Sequence, residues 1–302
     1  MSKYKVQLRN GFSDRRKIQP LCNEIQIYNF DKRTRNKIAN LIRKWYGVIY
    51  QKGYSSRFLK SLLNDVFGEY VSYDLEGRIT YHDDIIFEEF IYDAIIEEDY
   101  ASVLTLVEYI VVFFNDVKNQ YLKTNCSAWY DTKEFPNFID ELNDLFKEEF
   151  VGYRMIVDQI TPISDDIEVS EIKQGLNIQY DGCKSHIKKA LVLLSNREKP
   201  DYKNSIKESI SAVESICKII TKDSKATLGK AINQLEKNGL NIHPSLISAF
   251  SKLYGYTSDE GGIRHAEGLF ESKVSFGEAK YMLVSCCAFV NYLLEEYSKN
   301  DK

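Results

Sequence analysis

The side chains best suited to chemistry stand together in one stretch, Leu253-Tyr254-Gly255-Tyr256-Thr257-Ser258-Asp259-Glu260-Gly261-Gly262-Ile263-Arg264-His265-Ala266. Arg264 can clamp a phosphate bidentately, and His265 titrates near neutral pH. Together they are a minimum kit for cutting RNA without a metal. The imidazole takes the 2′-hydroxyl proton or feeds the leaving oxygen, and the guanidinium stabilises charge on the phosphorane. Asp259 and Glu260 can orient the pair, and Tyr254 and Tyr256 offer aromatic faces for unstacked bases. Gly261-Gly262 opens backbone angles closed to other residues. The structural alternative is that Arg264 pairs with Asp259 or Glu260 and His265 caps a helix end.

Other site chemistries are missing from the sequence. There is no G-x-x-x-x-G-K-[ST] or G-x-G-x-x-G to cradle phosphates, and no G-x-S-x-G or H-E-x-x-H. Glu88-Glu89, Glu97-Glu98 and Glu148-Glu149 are neighbours in sequence and so point to different sides of a helix. The six cysteines, Cys22, Cys126, Cys183, Cys217, Cys286 and Cys287, form no C-x-x-C and read as buried free thiols. His82, His186, His243 and His265 are far apart. Neither a metal site nor a cofactor is expected.

The elements that must position the loop read almost entirely at helical period. Asp31 caps a helix over 32–50 with Ile38, Leu41, Ile42, Trp45 and Ile49 on one stripe. Further helices are expected from Ser55, over 83–97, 100–121 and 135–146. Residues 153–163 carry β-branched side chains around a polar pair and predict a small hairpin ended by Pro162. Ser164 then caps a helix with acidic residues in its first turn. Helices follow over 181–195, 202–221, 224–237, 244–254 and about 275–297, with a loop over 255–273. The expectation is an all-α protein of two helical domains, 1–163 and 164–302, with one hairpin near the junction. A chain of 302 residues, 44% hydrophobic and 13% aromatic, suits two real cores. The longest apolar stretch, Val103 to Phe114, is short of the ~20 residues that span a bilayer. No apolar run follows Met1-Ser2-Lys3-Tyr4-Lys5, so the expected setting is cytoplasmic, away from membranes.

Charge is unevenly placed. Residues 1–60 hold fifteen Lys/Arg and three Asp/Glu, whereas residues 61–151 hold five and twenty-one. Such blocks form a basic face for a polyanion, with Arg33, Arg35 and Arg43 as RNA contacts, or they neutralise one another.

Gly11-Phe12-Ser13-Asp14-Arg15, Pro20, Ile25-Gln26 and Arg33-Thr34-Arg35-Asn36 resemble the start of an N-terminal domain of bacterial AbiJ-like abortive-infection proteins, F-S-x-R…P…I-Q…L-R-N. Gly152-Tyr153-Arg154-Met155-Ile156-Val157 through Ile163 resembles the hairpin that follows it. Asn204 to Glu214 and Tyr254 to Ala266 resemble their all-helical C-terminal domain, which looks like a member of the HEPN superfamily. The resemblance implies anti-phage defence, a homodimer through the C-terminal domain, RNA as a partner, and a phage-encoded trigger. Active HEPN proteins are metal-independent RNases with an Arg, a polar residue, and a His four to six residues further on. Arg264 and His265 fit the first two positions, whereas Leu269, Phe270 and Glu271 stand where that His falls. Two readings follow: an endoribonuclease in which His265 does the catalysis, or a degenerate HEPN-like dimer that binds RNA, a nucleotide or a phage protein. A third reading, a purely structural interaction protein, rests on the N-terminal domain docking a partner.

Overall fold

The computed structural model describes residues 8–9, 11–18, 24–69, 87–124, 135–196, 199–225, 237, 243–258 and 274–300. The chain is all-α with one small antiparallel hairpin. It divides into two compact units, 1–152 and 153–302.

The first unit holds α1 (Phe12–Arg15), α2 (Lys32–Gln51), α3 (Ser55–Ser61), α4 (Asp93–Glu97), α5 (Tyr100–Thr124) and α6 (Phe138–Glu148). Asp31 caps α2 as its sequence implies, with Oδ1 accepting from the Thr34 amide at 2.7 Å. Ile38, Ile42, Trp45 and Ile49 are buried along α2, while Leu41 is only half-buried. Gly53, at φ +79°, takes the left-handed turn that separates α2 from α3. Two π-helical turns interrupt the regular pattern, Leu62–Phe67 after α3 and Phe87–Tyr92 before α4. The second of these buries Phe87 and Ile91, Ile95 on α4 is buried as well, and Phe90 is only half-buried. A π turn advances by more residues than an α turn, which re-phases the stripe.

Helix α5 is long and apolar enough to cross a membrane by length and composition, with mean hydropathy 1.4 in its most apolar window. Val103, Leu104, Val107, Ile110, Val111 and Phe114 on it are instead buried in the unit, which is the behaviour of a core helix. Trp45 packs edge-on against Phe138 with centroids 5.4 Å apart, and Phe114 meets both Phe58 and Phe138.

The second unit begins with β1 (Arg154–Ile156) and β2 (Gln159–Thr161), paired Arg154 to Thr161 and Ile156 to Gln159. Val157 and Asp158 make the turn, one residue earlier than the Asp158-Gln159 pair, with Val157 at φ +60°. Helices α7 (Asp166–Leu176), α8 (Asp181–Ser195), α9 (Tyr202–Thr221), α10 (Pro244–Ser258) and α11 (Phe276–Asn300) follow. Asp165, not Ser164, caps α7: its Oδ1 accepts from the amides of Ile167 and Glu168. A carboxylate serves two donors at the positive helix end better than a hydroxyl one residue too early. Ser275 and Glu278 cap α11 reciprocally, each bonding the other's backbone amide. The expected 224–237 helix falls mainly outside the described residues.

Helices α8, α9 and α11 pack around one core, with α7 laid on α11. Small residues let the backbones approach. Ser205 Oγ donates to the Ala190 carbonyl at 2.8 Å, and a Cβ at Gly175 would lie 3.0 Å from Ile187 Cδ1. Cys183, Cys217, Cys286 and Cys287 are buried in this core as free thiols. Burial pushes the thiols of Cys183, Cys217 and Cys286 up to about 12 and that of Cys287 well above its ordinary value. These four cysteines are therefore expected to resist iodoacetamide at about pH 8 in the native protein and to react only on unfolding, read by peptide mapping.

Arg35 carries much of the geometry of the first unit. It is 8% exposed. Its Nε donates to the Phe30 carbonyl, and its Nη1 donates to the carbonyls of Ile95, Ile96 and Glu98. It thus seats a cation on the C-terminal end of α4, whose last carbonyls have no helical partner. Arg35→Met is expected to lower the unfolding free energy by roughly 2–4 kcal/mol, read by urea titration, because buried carbonyls lose their donor.

Candidate functional site

Arg264, His265, Asp259 and Glu260 lie outside the described residues. Their surroundings on the chain are described. α10 runs through Ser258 and α11 starts at Phe276, so the stretch joins two helices of the second unit. α10 continues past Tyr254, where a loop was expected, and carries Tyr254 and Tyr256 on helical backbone. Phe250 of α10 stacks on Phe289 of α11 with centroids 3.4 Å apart and planes at 19°, which fixes the two helices that bound the stretch.

Elsewhere in this unit His186 on α8 and Glu208 on α9 form an ion-pair geometry, Nδ1 to Oε2 at 2.6 Å. Among the described residues no group of three or more His, Cys, Asp and Glu is placed to hold a metal ion.

The basic first segment meets acidic partners inside its own unit. Lys37 reaches Glu148 at 2.6 Å and Lys44 reaches Glu141 at 3.0 Å. Glu149, whose side chain is wholly buried, takes Arg9 at 3.2 Å, Arg33 at 3.1 Å and Lys37 as well. Arg43 lies over the Phe87 ring at 4.9 Å. Of the three arginines named for RNA, then, Arg33 faces Glu149, Arg35 is buried on carbonyls, and Arg43 stacks on an aromatic ring.

Gln26, beside this hub, uses every polar atom of its side chain. Its Nε2 donates to Thr34 Oγ1 and to the Glu149 carbonyl, and its Oε1 accepts from the Asp31 amide. Its backbone bridges to Val151 in parallel fashion. A Cβ at Gly152 would lie 3.0 Å from both Ile25 and Ile27, which explains a glycine there. The residues that carry the sequence resemblance, Ile25-Gln26, Arg33 and Arg35, are therefore the ones that fasten residues 149–152 and α4 to α2.

A cleft of about 550 Å³ opens elsewhere in the first unit, between α3 with its π turn and α5. Arg57, Lys60, Ser61 and Asp65 face Tyr109 and Phe113 across it. The sequence reading passed over these residues. Their signal was present as spacing, with 57, 61 and 65 at i, i+4, i+8 and 109 and 113 at i, i+4, but each helix alone shows only a polar stripe.

Burial alone would raise the Glu149 carboxyl, but hydrogen bonds from Lys37, Arg33 and Arg9 outweigh it and hold the group below its usual 4.5. A depressed folded-state pKa stabilises the fold above the unfolded value, and that contribution disappears as pH falls through the folded one. The first unit is expected to lose stability on acidification below about pH 4.5. Glu149→Gln should lower stability at neutral pH and make the acid loss shallower, read by urea titrations across that range.

No curated protein and no solved structure matches the chain. The family model for AbiJ N-terminal domain 4 matches residues 10–178. That segment holds Gln26, the arginines of α2, the Glu149 hub, the hairpin and α7. With more than half of its length matched, the chain belongs to the AbiJ N-terminal domain 4 family.

Proposed function

We propose that this protein acts in abortive infection against phage, and that its second unit is a HEPN-like, metal-independent endoribonuclease centred on Arg264 and His265. Family membership supports the defence role. The observation that carries the ribonuclease reading is the setting of the Arg264-His265 stretch. In sequence it lies between α10 and α11, in a unit that is helical after its hairpin, and it sets one Arg beside one His.

In this proposal His265 takes the proton from a ribose 2′-hydroxyl, and the 2′-oxygen attacks the adjacent phosphorus. The bond to the 5′-oxygen breaks, and that oxygen leaves with a proton from a second acid. Arg264 offsets the charge on the phosphorane. The products are a 2′,3′-cyclic phosphate and a 5′-hydroxyl. A homodimer through residues 164–302 brings two such loops to one cleft and provides the second acid as His265 of the partner subunit. Because Arg33, Lys37 and Lys44 pair with Glu149, Glu148 and Glu141, while Arg35 is buried on carbonyls and Arg43 lies on the Phe87 ring, the RNA contacts in this reading belong to the second unit.

The degenerate reading, a dimer that binds RNA, a nucleotide or a phage protein without cutting, is favoured by one fact: no histidine follows His265. Purified protein incubated with total RNA in EDTA decides between them. The expected outcome is cleavage with cyclic-phosphate ends, reduced about 10²–10⁴-fold in His265→Ala and in Arg264→Ala. Undiminished cleavage in His265→Ala, or no cleavage by wild type, overturns the ribonuclease reading.

A further inference from the structure

The cleft between α3 and α5 has the composition of a ligand site and lies at the edge of the core, where Phe113 packs on Phe58 and Phe114. Its volume of about 550 Å³ is within the range of small-molecule sites. One wall is aromatic: Tyr109 and Phe113 are half-buried, one turn apart on α5, with planes at 28°. Val112 and Asp116, a carboxylate, complete that side, and the opposite wall is basic. Arg57 and Lys60 are one turn apart on α3 and exposed. Arg57 lies over the Phe113 ring at 5.6 Å and rests one Nη1 on Gln120 at 2.6 Å, which holds its planar fork in place.

The floor is polar. Ser61 Oγ donates to Asp65 Oδ2 at 2.7 Å, Tyr109 OH reaches the same oxygen at 3.2 Å, and the two hydroxyls are 2.5 Å apart. Asn64 Nδ2 donates to the other carboxylate oxygen at 2.6 Å. Three oxygen–oxygen contacts share only two hydroxyl protons, so the triangle can reorient to give or take a hydrogen bond. Hydrogen bonds from Ser61 and Asn64 keep the Asp65 carboxyl below its ordinary range, so it stays an acceptor at neutral pH. The π turn Leu62–Phe67 presents Asn64 and Asp65 to the cleft, a geometry recurrent at functional sites.

We propose that this cleft binds a ribonucleotide, with its phosphate on Arg57 and Lys60, its base against Phe113 and Tyr109, and a hydroxyl or amino group donating to Asp65. The three walls match the three parts of that ligand: an anion, a flat ring and a set of hydrogen-bond donors. A sugar phosphate would leave the aromatic wall unused, and a nucleoside would leave the arginine fork unused. The site belongs to the first unit and its readout is binding, so its failure and that of the ribonuclease reading are separate.

The test is calorimetric titration of the full chain with AMP, UMP, adenosine, inorganic phosphate and a 5′-phosphorylated tetranucleotide. AMP or UMP is expected to bind with a Kd below about 1 mM, and adenosine and phosphate each about tenfold more weakly. Arg57→Ala and Phe113→Leu should each weaken the nucleotide about tenfold while leaving the thermal midpoint within a few degrees of wild type. Equal, Arg57-dependent affinity for the tetranucleotide identifies a strand end as the source. Binding of the mononucleotide alone identifies a free nucleotide. Absence of nucleotide binding at about 1 mM, phosphate binding as tightly as AMP, or affinity unchanged in Arg57→Ala overturns the proposal.

Discussion

A carboxylate with no exposed side-chain surface cannot stay ionised inside a helical domain without cations brought to it. Glu149 imposes that condition on the first unit. Arg9 comes from before the first helical turn, Arg33 and Lys37 from successive turns of α2, and Glu149 itself from the end of α6. Segments more than a hundred residues apart in sequence are thereby required to meet. Gln26 reinforces the junction with neutral hydrogen bonds to Thr34, Asp31 and the Glu149 carbonyl. Removing one partner leaves a buried charge uncompensated, which costs far more than a surface pair is worth. The strong charge asymmetry of the chain has its local meaning here, since the basic block and the acidic block are two sides of one fold.

Arg35 solves a second electrostatic problem nearby. The short helix α4 ends with carbonyls that cannot be satisfied within five residues, and a buried guanidinium supplies the donors. Arg33 and Arg35 thus act on carboxylate and backbone groups of their own unit. The second unit is built differently. It relies on apolar packing of α8, α9 and α11, with serine and glycine at close approaches and four thiols filling space. Phe250 on Phe289 joins α10 to α11, and α11 packs on α9.

The two candidate chemistries are therefore carried by different physics. The Arg264-His265 stretch lies in sequence between α10 and α11. The α3–α5 cleft lies where α3 passes into a π turn, with Arg57, Lys60 and Ser61 on α3 and Asn64 and Asp65 on the turn.

Much of the fold was legible in the chain because helical period is a local property. Asp31 as a cap, the Ile38–Ile49 stripe, the hairpin at 154–161 and the long helices at 202–221 and 276–300 follow from neighbours within a few residues. The choice of Asp165 over Ser164, and the π turn that buries Phe87 and Ile91, escaped that reading. Each was decided by how a helix end or a π turn fits its surroundings. The Arg264-His265 stretch stands out by composition, an Arg and a His beside glycines, and lies outside the described residues. The cleft was not legible, because its residues come from positions 57–65 and 109–116, and no local pattern joins them. Sequence by itself determined the helices and the family, since both are written in short-range spacing. Only the tertiary structure decided which charges are buried, what Arg35 holds, and which polar residues face one another. Those depend on long-range contacts, in which a carboxylate at 149 selects its cations from positions 9, 33 and 37.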